Sequence, residues 1–135
     1  MTFSHHINTD LEIESSDDLA PVIESFGDDV VVLYQGKAMG MNKASFEIAD
    51  LVADPDAIAN HFCMLIEGLS QEAKKVWDSC SAKTFDIGYE AGTEPRSFSS
   101  ELRPKTIERI AAIETGVNIT IYSAMSHKKR SSDGV

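Results

Sequence analysis

Short stretches in which apolar and polar residues alternate recur along the chain, a pattern typical of half-buried β-strands. Together with one β-branched run, they predict six strands: Leu11–Ser15, Val30–Tyr34, Ala44–Ala49, Thr84–Ala91, Arg96–Leu102 and Val117–Tyr122. Glycine-containing turns at 35–41 and 92–95 would join the second strand to the third, and the fourth to the fifth, as hairpins.

Apolar residues at helical spacing predict helices between these strands. They are predicted after Asp17-Asp18, at 54–80 with a break near Gly68, and at 104–116. The resulting order is β-α-β-β-α-β-β-α-β, which indicates an α+β fold in a single domain. Short connections and hairpins favour a mainly antiparallel sheet with the helices packed on one face.

The domain is expected to span residues 11–124. Residues 1–10 lack periodicity and are predicted to form a flexible N-terminal arm. Residues 125–135 contain Lys128-Lys129-Arg130 among polar residues, and we expect them to form a polar, basic tail.

Composition narrows the range of partners. The 135 residues include 22 acidic and 12 basic ones, and the formal net charge is −10. Such a surface repels nucleic-acid phosphates and anionic membranes, whereas it suits a basic protein, although solubility alone also explains it. No apolar run approaches the roughly 20 residues needed to span a bilayer, and no secretory signal is evident. A cytoplasmic protein with Cys63 and Cys80 as free thiols is therefore expected.

Residues with catalytic or metal-binding chemistry are few and poorly spaced. His61 and Cys63 are two positions apart, so they point to different sides of a helix, and Cys63 is expected to point away from the apolar stripe. The other possible ligands form no known zinc spacing; they are His5, His6, His127 and Cys80. The glycines at 36 and 40 join two strands, whereas a phosphate-binding loop opens a helix. The sequence predicts no catalytic residue, metal or cofactor.

The first thirty residues contain eight carboxylates and no Lys or Arg. Those in the first strand are explained as its solvent side, and Asp17 or Asp18 as a helix cap. Asp28 and Asp29 follow the C-terminal end of the first helix, where the helix dipole disfavours acids. A solvated turn would account for them, but so would a role in binding. The predicted partner-binding residues are Asp17, Asp18, Glu24, Asp28 and Asp29.

The segment FDIGYEAGTEPRSFSSELRPKTIERIAAIETGVNITIYSA resembles the closing part of the bacterial family called domain of unknown function 4279. The features that carry the resemblance are Phe98, Leu102, Pro104, Ile107, Ile110, Gly116, Ile119, Ile121 and Tyr122. Nearer the N-terminus, SFGDDVVVLYQG lacks the Pro-Thr and Trp common in that family. The resemblance implies a small bacterial α+β domain without an established activity. Some similar domains resemble immunity proteins that neutralise a neighbouring toxin.

These observations predict a non-enzymatic, protein-binding module, such as an immunity or inhibitor protein that masks a basic toxin. The alternative is a small-molecule-binding or regulatory domain, in which Tyr34, Tyr89 and Tyr122 line the sheet face that the helices leave open. A third hypothesis is an enzyme centred on His61. An exposed edge strand would also allow a homodimer to form by sheet extension.

Overall fold

The computed structural model describes residues 2–50 and 54–123. Its strands are β1 (His5–Ser15), β2 (Val30–Ala38), β3 (Met41–Ile48), β4 (Ala82–Ala91) and β5 (Gly116–Ser123). Its helices are α1 (Ala20–Phe26), α2 (Pro55–Glu67), α3 (Gln71–Ser79) and α4 (Pro104–Ala112). A single 3₁₀ turn, Gly27–Asp29, connects α1 to β2.

The strands form one sheet in the order β2-β3-β1-β4-β5. Every neighbouring pair is antiparallel except β4 and β5, which run parallel. The predicted hairpin between β2 and β3 is confirmed, and Met39 and Gly40 turn the chain there with φ values of 53° and 81°. Two positive φ angles suit the tight turn of a hairpin. The α+β class and the mainly antiparallel sheet are confirmed.

The predicted strand at Arg96–Leu102 is wrong, and so is the hairpin that it was expected to form with β4. Residues 96–103 contain no strand, and the chain instead crosses through α4 to the parallel strand β5. Both edges of β4 are already occupied, one by β1 and the other by β5, so no row of β4 backbone groups remains for residues 96–102. Alternation in that segment therefore does not reflect strand pairing.

The predicted flexible arm at residues 1–10 is also corrected, because β1 begins at His5 and pairs with β4 from there onward. A register shift lies between His6 and Asn8, and the next buried position of β1 is occupied by the polar Thr9, so the apolar alternation in the sequence begins only at Leu11. His6 contributes a ring nitrogen to a 2.9 Å hydrogen bond with the Thr9 hydroxyl across this irregularity. The predicted tail at 125–135 lies outside the described residues.

The helices pack on one face of the sheet, and the hydrophobic core lies between the two layers. Its largest fully buried side chains come from both layers: Trp77, Phe26, Phe46, Phe62, Phe85, Leu11 and Ile66. Phe26 of α1 meets Phe46 of β3 edge to face, with ring centroids 5.2 Å apart. The buried Trp77 indole N–H donates to the Ile113 carbonyl at 3.3 Å. The opposite face of the sheet is not covered by any described helix, and we call it the open face.

Polar contacts fix α2 at its start. Asp54 caps the helix by accepting from the Asp56 backbone N–H at 3.3 Å, as the Asp-Pro-Asp sequence predicts. The buried Asp56 carboxylate in turn accepts from the Arg103 backbone N–H at 2.8 Å, which ties the segment before α4 to α2. Hydrogen bonding of this kind compensates the cost of burying a charge.

Candidate functional site

Strand alternation sorts the carboxylates of the sheet onto the open face. In β1 the residues at 9, 11, 13 and 15 are buried toward the helices, so Asp10, Glu12 and Glu14 project from the other side. Glu47 lies between the buried residues Phe46 and Ile48 of β3 and projects the same way. Because β3 and β4 flank β1, carboxylates of three adjacent strands converge on one surface.

This acidic open face is defined by six side chains: Asp10, Glu12, Glu14, Glu47, Asp86 and Glu90. Lys43 is the single Lys or Arg that the described strands place on this face. Its ammonium lies 3.7 Å from a Glu14 carboxylate oxygen, and both side chains are partly exposed. The Nε2 atom of His5 lies 3.7 Å from the Oε1 atom of Glu90, near the end of β4. The remaining carboxylates leave the surface strongly negative.

Asp10 carries the greatest electrostatic cost on this face. Its Oδ1 atom is buried and has no hydrogen-bond partner among the described residues, while Oδ2 accepts only a long, 3.5 Å bond from Asn8. Burial, together with the nearby charges of Glu47, Glu12 and Asp86, raises the pKa of Asp10 to about 6. Burial and the charge of Asp86 also raise the pKa of Glu12. Such shifts mark a site where added positive charge is favourable.

Asp86 is held in place by the edge strand. The Thr120 hydroxyl donates to Asp86 Oδ1 at 2.8 Å, and the Asn118 amide donates to the same atom at 3.2 Å. These hydrogen bonds fix one carboxylate oxygen of Asp86, so the negative charge stays beside Asp10. The cluster is therefore preorganised by its neighbours in β5.

A shallow hollow of about 330 Å³ lies on the same face, toward β2. The polar and aromatic residues that line it are Glu12, Glu14, Tyr34, Lys43, Ser45 and Thr84. The Tyr34 ring folds over Gly36, where an added Cβ would lie 2.6 Å from the phenol oxygen. The glycine thus lets the aromatic ring lie flat at the border of the hollow.

The five predicted partner-binding residues lie elsewhere. Asp17 and Asp18 precede α1, and Asp18 Oδ1 accepts from the Ala20 N–H at 3.0 Å. The N-cap of α1 is Leu19, which makes no side-chain capping bond, so the prediction that Asp17 or Asp18 is the cap is wrong. Glu24, Asp28 and Asp29 lie at the opposite end of α1, about 10 Å away for a seven-residue helix. All five are exposed, but α1 packs on the side of the sheet that the helices cover. Their role in binding stays a prediction.

The thiols are poor nucleophiles. Cys63 is 0 % exposed within the core, so the prediction that it points away from the apolar stripe is wrong. Burial raises the pKa of Cys63 to about 11 and that of Cys80 to about 11. A thiol with such a pKa is almost entirely protonated near neutrality and reacts slowly.

The three tyrosines do not share a surface. Tyr34 and Tyr122 lie on the open face, but they occupy opposite edge strands and are therefore more than about 19 Å apart, the width of four strand spacings. Tyr89 lies on the helix-covered side, where its hydroxyl donates to Ser100 at 2.8 Å and its ring meets Phe98. The predicted tyrosine-lined site on the open face is therefore corrected.

Sequence reasoning missed Asp10, Glu47, Asp86 and Glu90 as members of one surface. Each belongs to an alternating strand, and that alternation was the available signal. Their convergence depends on the strand order, which places β3 and β4 on either side of β1.

Within the part of the chain that the structure describes, no group of three or more His, Cys, Asp or Glu side chains is arranged to hold a metal ion. None of the described helices has both the length and the apolar character needed to cross a bilayer. Comparison of the chain with protein-family models, with curated proteins and with solved structures finds no match.

Proposed function

We propose that this chain is a non-enzymatic, protein-binding module whose acidic open face receives a basic surface of a partner protein, as in an inhibitor or immunity protein that masks a basic toxin. The observation that carries the proposal is the convergence of six carboxylates, opposed by Lys43, on a sheet face that no described helix covers. A toxin that binds nucleic acid presents Lys and Arg where phosphates lie, and carboxylates in an array mimic those phosphates.

Asp10 is the carboxylate of this face that gains most from a basic partner. Its carboxylate is partly desolvated and lies among like charges, and no described residue makes a hydrogen bond to its Oδ1 atom. A Lys or Arg of the partner would offset that repulsion and donate the missing hydrogen bond. The gain is larger than for an ordinary exposed carboxylate because the cost of burying Asp10 is already included in the folded state.

The hollow beside Tyr34 suits a single long basic side chain. Glu12 offers a carboxylate on one side, next to Glu14, which already lies 3.7 Å from the Lys43 ammonium, and the Tyr34 ring borders the other side. An ammonium or guanidinium group is attracted both to carboxylates and to the face of an aromatic ring. We therefore expect one Lys or Arg of the partner to enter this hollow.

The test compares two triple variants with equal changes in charge. The open-face variant carries Glu12→Gln, Glu47→Gln and Asp86→Asn, and the α1 variant carries Glu24→Gln, Asp28→Asn and Asp29→Asn. Each is used as bait in an extract of the organism that encodes the chain, at low ionic strength, after circular dichroism has established that it is folded.

We expect the native chain and the α1 variant to retain a basic protein, and the open-face variant to lose it. Added salt should release this protein from the native chain. If the open-face variant retains the basic protein and the α1 variant loses it, the binding surface is formed by the five residues around α1 and not by the open face. Recovery of no basic protein at low salt would reject the function itself.

A further inference from the structure

The edge strand β5 is chemically unlike the rest of this acidic chain. Among residues 2–50 and 54–123, β5 is paired with no strand other than β4, and none of its eight residues, GVNITIYS, is charged. Its register with β4 runs from Gly116 to Ser123 without a shift. An edge strand of this length offers a row of backbone N–H and C=O groups to another strand.

The opposite edge is less suited to pairing. β2 has a register shift between Val32 and Tyr34 and carries Lys37. Irregularities and lysines at an edge are the features that prevent sheets from joining. Since β5 has neither, the two edges of the sheet differ in the property that controls association.

Three apolar side chains of β5 are left uncovered on the helix-covered side of the sheet. Val117, Ile119 and Ile121 are 43 %, 60 % and 67 % exposed. The register places them beside Phe85, Ile87 and Tyr89, so they extend a row of β4 side chains that begins at Phe85 in the core. α4 contacts α2, and the exposure of the three side chains shows that it leaves them largely uncovered.

We propose that β5 pairs antiparallel with β5 of a second copy of this chain, about a two-fold axis that passes through Ile119. The segment Val117-Asn118-Ile119-Thr120-Ile121 has nearly the same pattern in both directions. Antiparallel pairing centred on Ile119 places Val117 opposite Ile121 of the other copy, Asn118 opposite Thr120, and Ile119 opposite itself. Apolar residues then meet apolar ones, and residues that form hydrogen bonds meet each other.

Charge does not prevent this pairing. The closest sheet carboxylates, Asp86 and Glu90, lie on β4, one strand in from the edge. Across the joined sheet the two β4 strands are separated by three strand spacings, roughly 14 Å, which exceeds the Debye length of about 8 Å at physiological salt. The net charge of −10 on each copy gives a weaker, long-range repulsion that added salt reduces.

The two-fold axis is perpendicular to the sheet, so the product is one ten-stranded sheet with both acidic open faces on the same side. The inference does not depend on the proposed function. Salt separates the two, because salt should strengthen association through β5 and weaken binding of a basic partner.

The test is sedimentation velocity of the native chain at protein concentrations from about 5 to about 500 µM. This range includes the micromolar dissociation constant expected of a small interface. The native chain should become a dimer within this range, at lower concentration when salt is raised. Ile119→Lys places two ammonium groups opposite each other and should raise the dissociation constant at least 100-fold. Val31→Lys, an equal change at an exposed position in β2, should leave it unchanged.

Pairing of residue 119 with itself gives a second, register-specific test. Ile119→Lys alone and Ile119→Glu alone should each be monomeric, and an equimolar mixture should form a heterodimer. A native chain that stays monomeric over the whole range would overturn the proposal. So would an Ile119→Lys variant that associates like the native chain, or a mixture that stays monomeric while both variants are folded.

Discussion

Asp10 lies directly opposite Asp86 in the ladder between β1 and β4, and both carboxylates project from the open face of the sheet. Like charges in directly opposed positions destabilise a sheet. The pair is therefore retained at a cost to folding, while Thr120 and Asn118 hold Asp86 in position. A cost of this kind is what we expect of a surface that binds a cationic partner.

The substitution Asp10→Asn should stabilise the protein at neutral pH. The folded protein binds the Asp10 proton more tightly than the unfolded chain does, since the pKa rises from 3.8 to about 6. The destabilisation is therefore complete above about pH 6 and disappears below pH 3.8. Because water screens this half-buried group, we expect a gain of about 1–2 kcal/mol in the free energy of unfolding at pH 7.5.

Urea denaturation of this variant at pH 7.5 and pH 4 measures the effect. The gain should shrink as the pH falls. Asp28→Asn removes the same charge from an exposed turn and serves as the control, for which we expect a change within about 0.5 kcal/mol. Equal gains in the two variants would show that net charge, and not the surroundings of Asp10, controls stability.

Replacing the buried Asp56 by Ala should destabilise the fold by about 1–3 kcal/mol, because it removes the carboxylate that accepts the 2.8 Å hydrogen bond from the Arg103 N–H. Burial opposes ionisation of Asp56, but the Arg103 and Thr106 hydrogen bonds outweigh it and lower its pKa. Its stabilisation is therefore present above the unfolded pKa and is lost as the pH falls through the lower, folded value.

Thermal unfolding of Asp56→Ala and the native chain at pH 7 and at pH 2.5 measures this difference. The two melting temperatures should converge in acid. A difference that stays constant with pH would mean that the carboxylate acts by packing and not by its charge.

Gly92→Ala tests the anchoring of residues 2–4 beside the end of β4. An added Cβ would lie 2.6 Å from the Phe3 carbonyl carbon and 2.7 Å from the Ser4 nitrogen, both of them backbone atoms. The backbone must move, and we expect a loss of about 1–3 kcal/mol in the free energy of unfolding. Faster exchange of the Ser4 amide hydrogen, which bonds to the Glu94 carbonyl, should accompany it.

Gly116→Ala is the matched control, since its nearest contact would be the Lys83 carbonyl at an ordinary 3.8 Å. It should change stability by less than about 1 kcal/mol. If both variants lose the same amount, the close approach of residues 2–4 to Gly92 does not contribute to stability.

Local patterns predicted most elements, because hydrophobic alternation and capping chemistry act over a few residues. The strands at Leu11–Ser15 and Thr84–Ala91, and the helix that begins at Asp54, follow from such patterns. The pattern at Arg96–Leu102 misled because alternation does not reveal whether a neighbouring strand has a free edge. β4 has none, since β1 and β5 occupy both of its sides.

The candidate site depends on the same non-local information. Glu12 was identified as the solvent side of a strand, which is correct, but nothing near it in sequence places Glu47 and Asp86 on the adjoining strands. The burial of Cys63 was missed for a related reason. The apolar stripe of α2 is wide enough to include it once α4 packs alongside.

The most direct measurement of the central claim is an NMR titration of the ¹⁵N-labelled chain with hexalysine at low ionic strength. If the acidic open face is the cation-binding surface, the largest amide shifts will occur at Asp10, Glu12, Glu47 and Asp86. Salt at about 0.3 M, at which the Debye length falls below about 8 Å, should reverse them. Shifts confined to Glu24, Asp28 and Asp29, with the open face unmoved, would contradict the account.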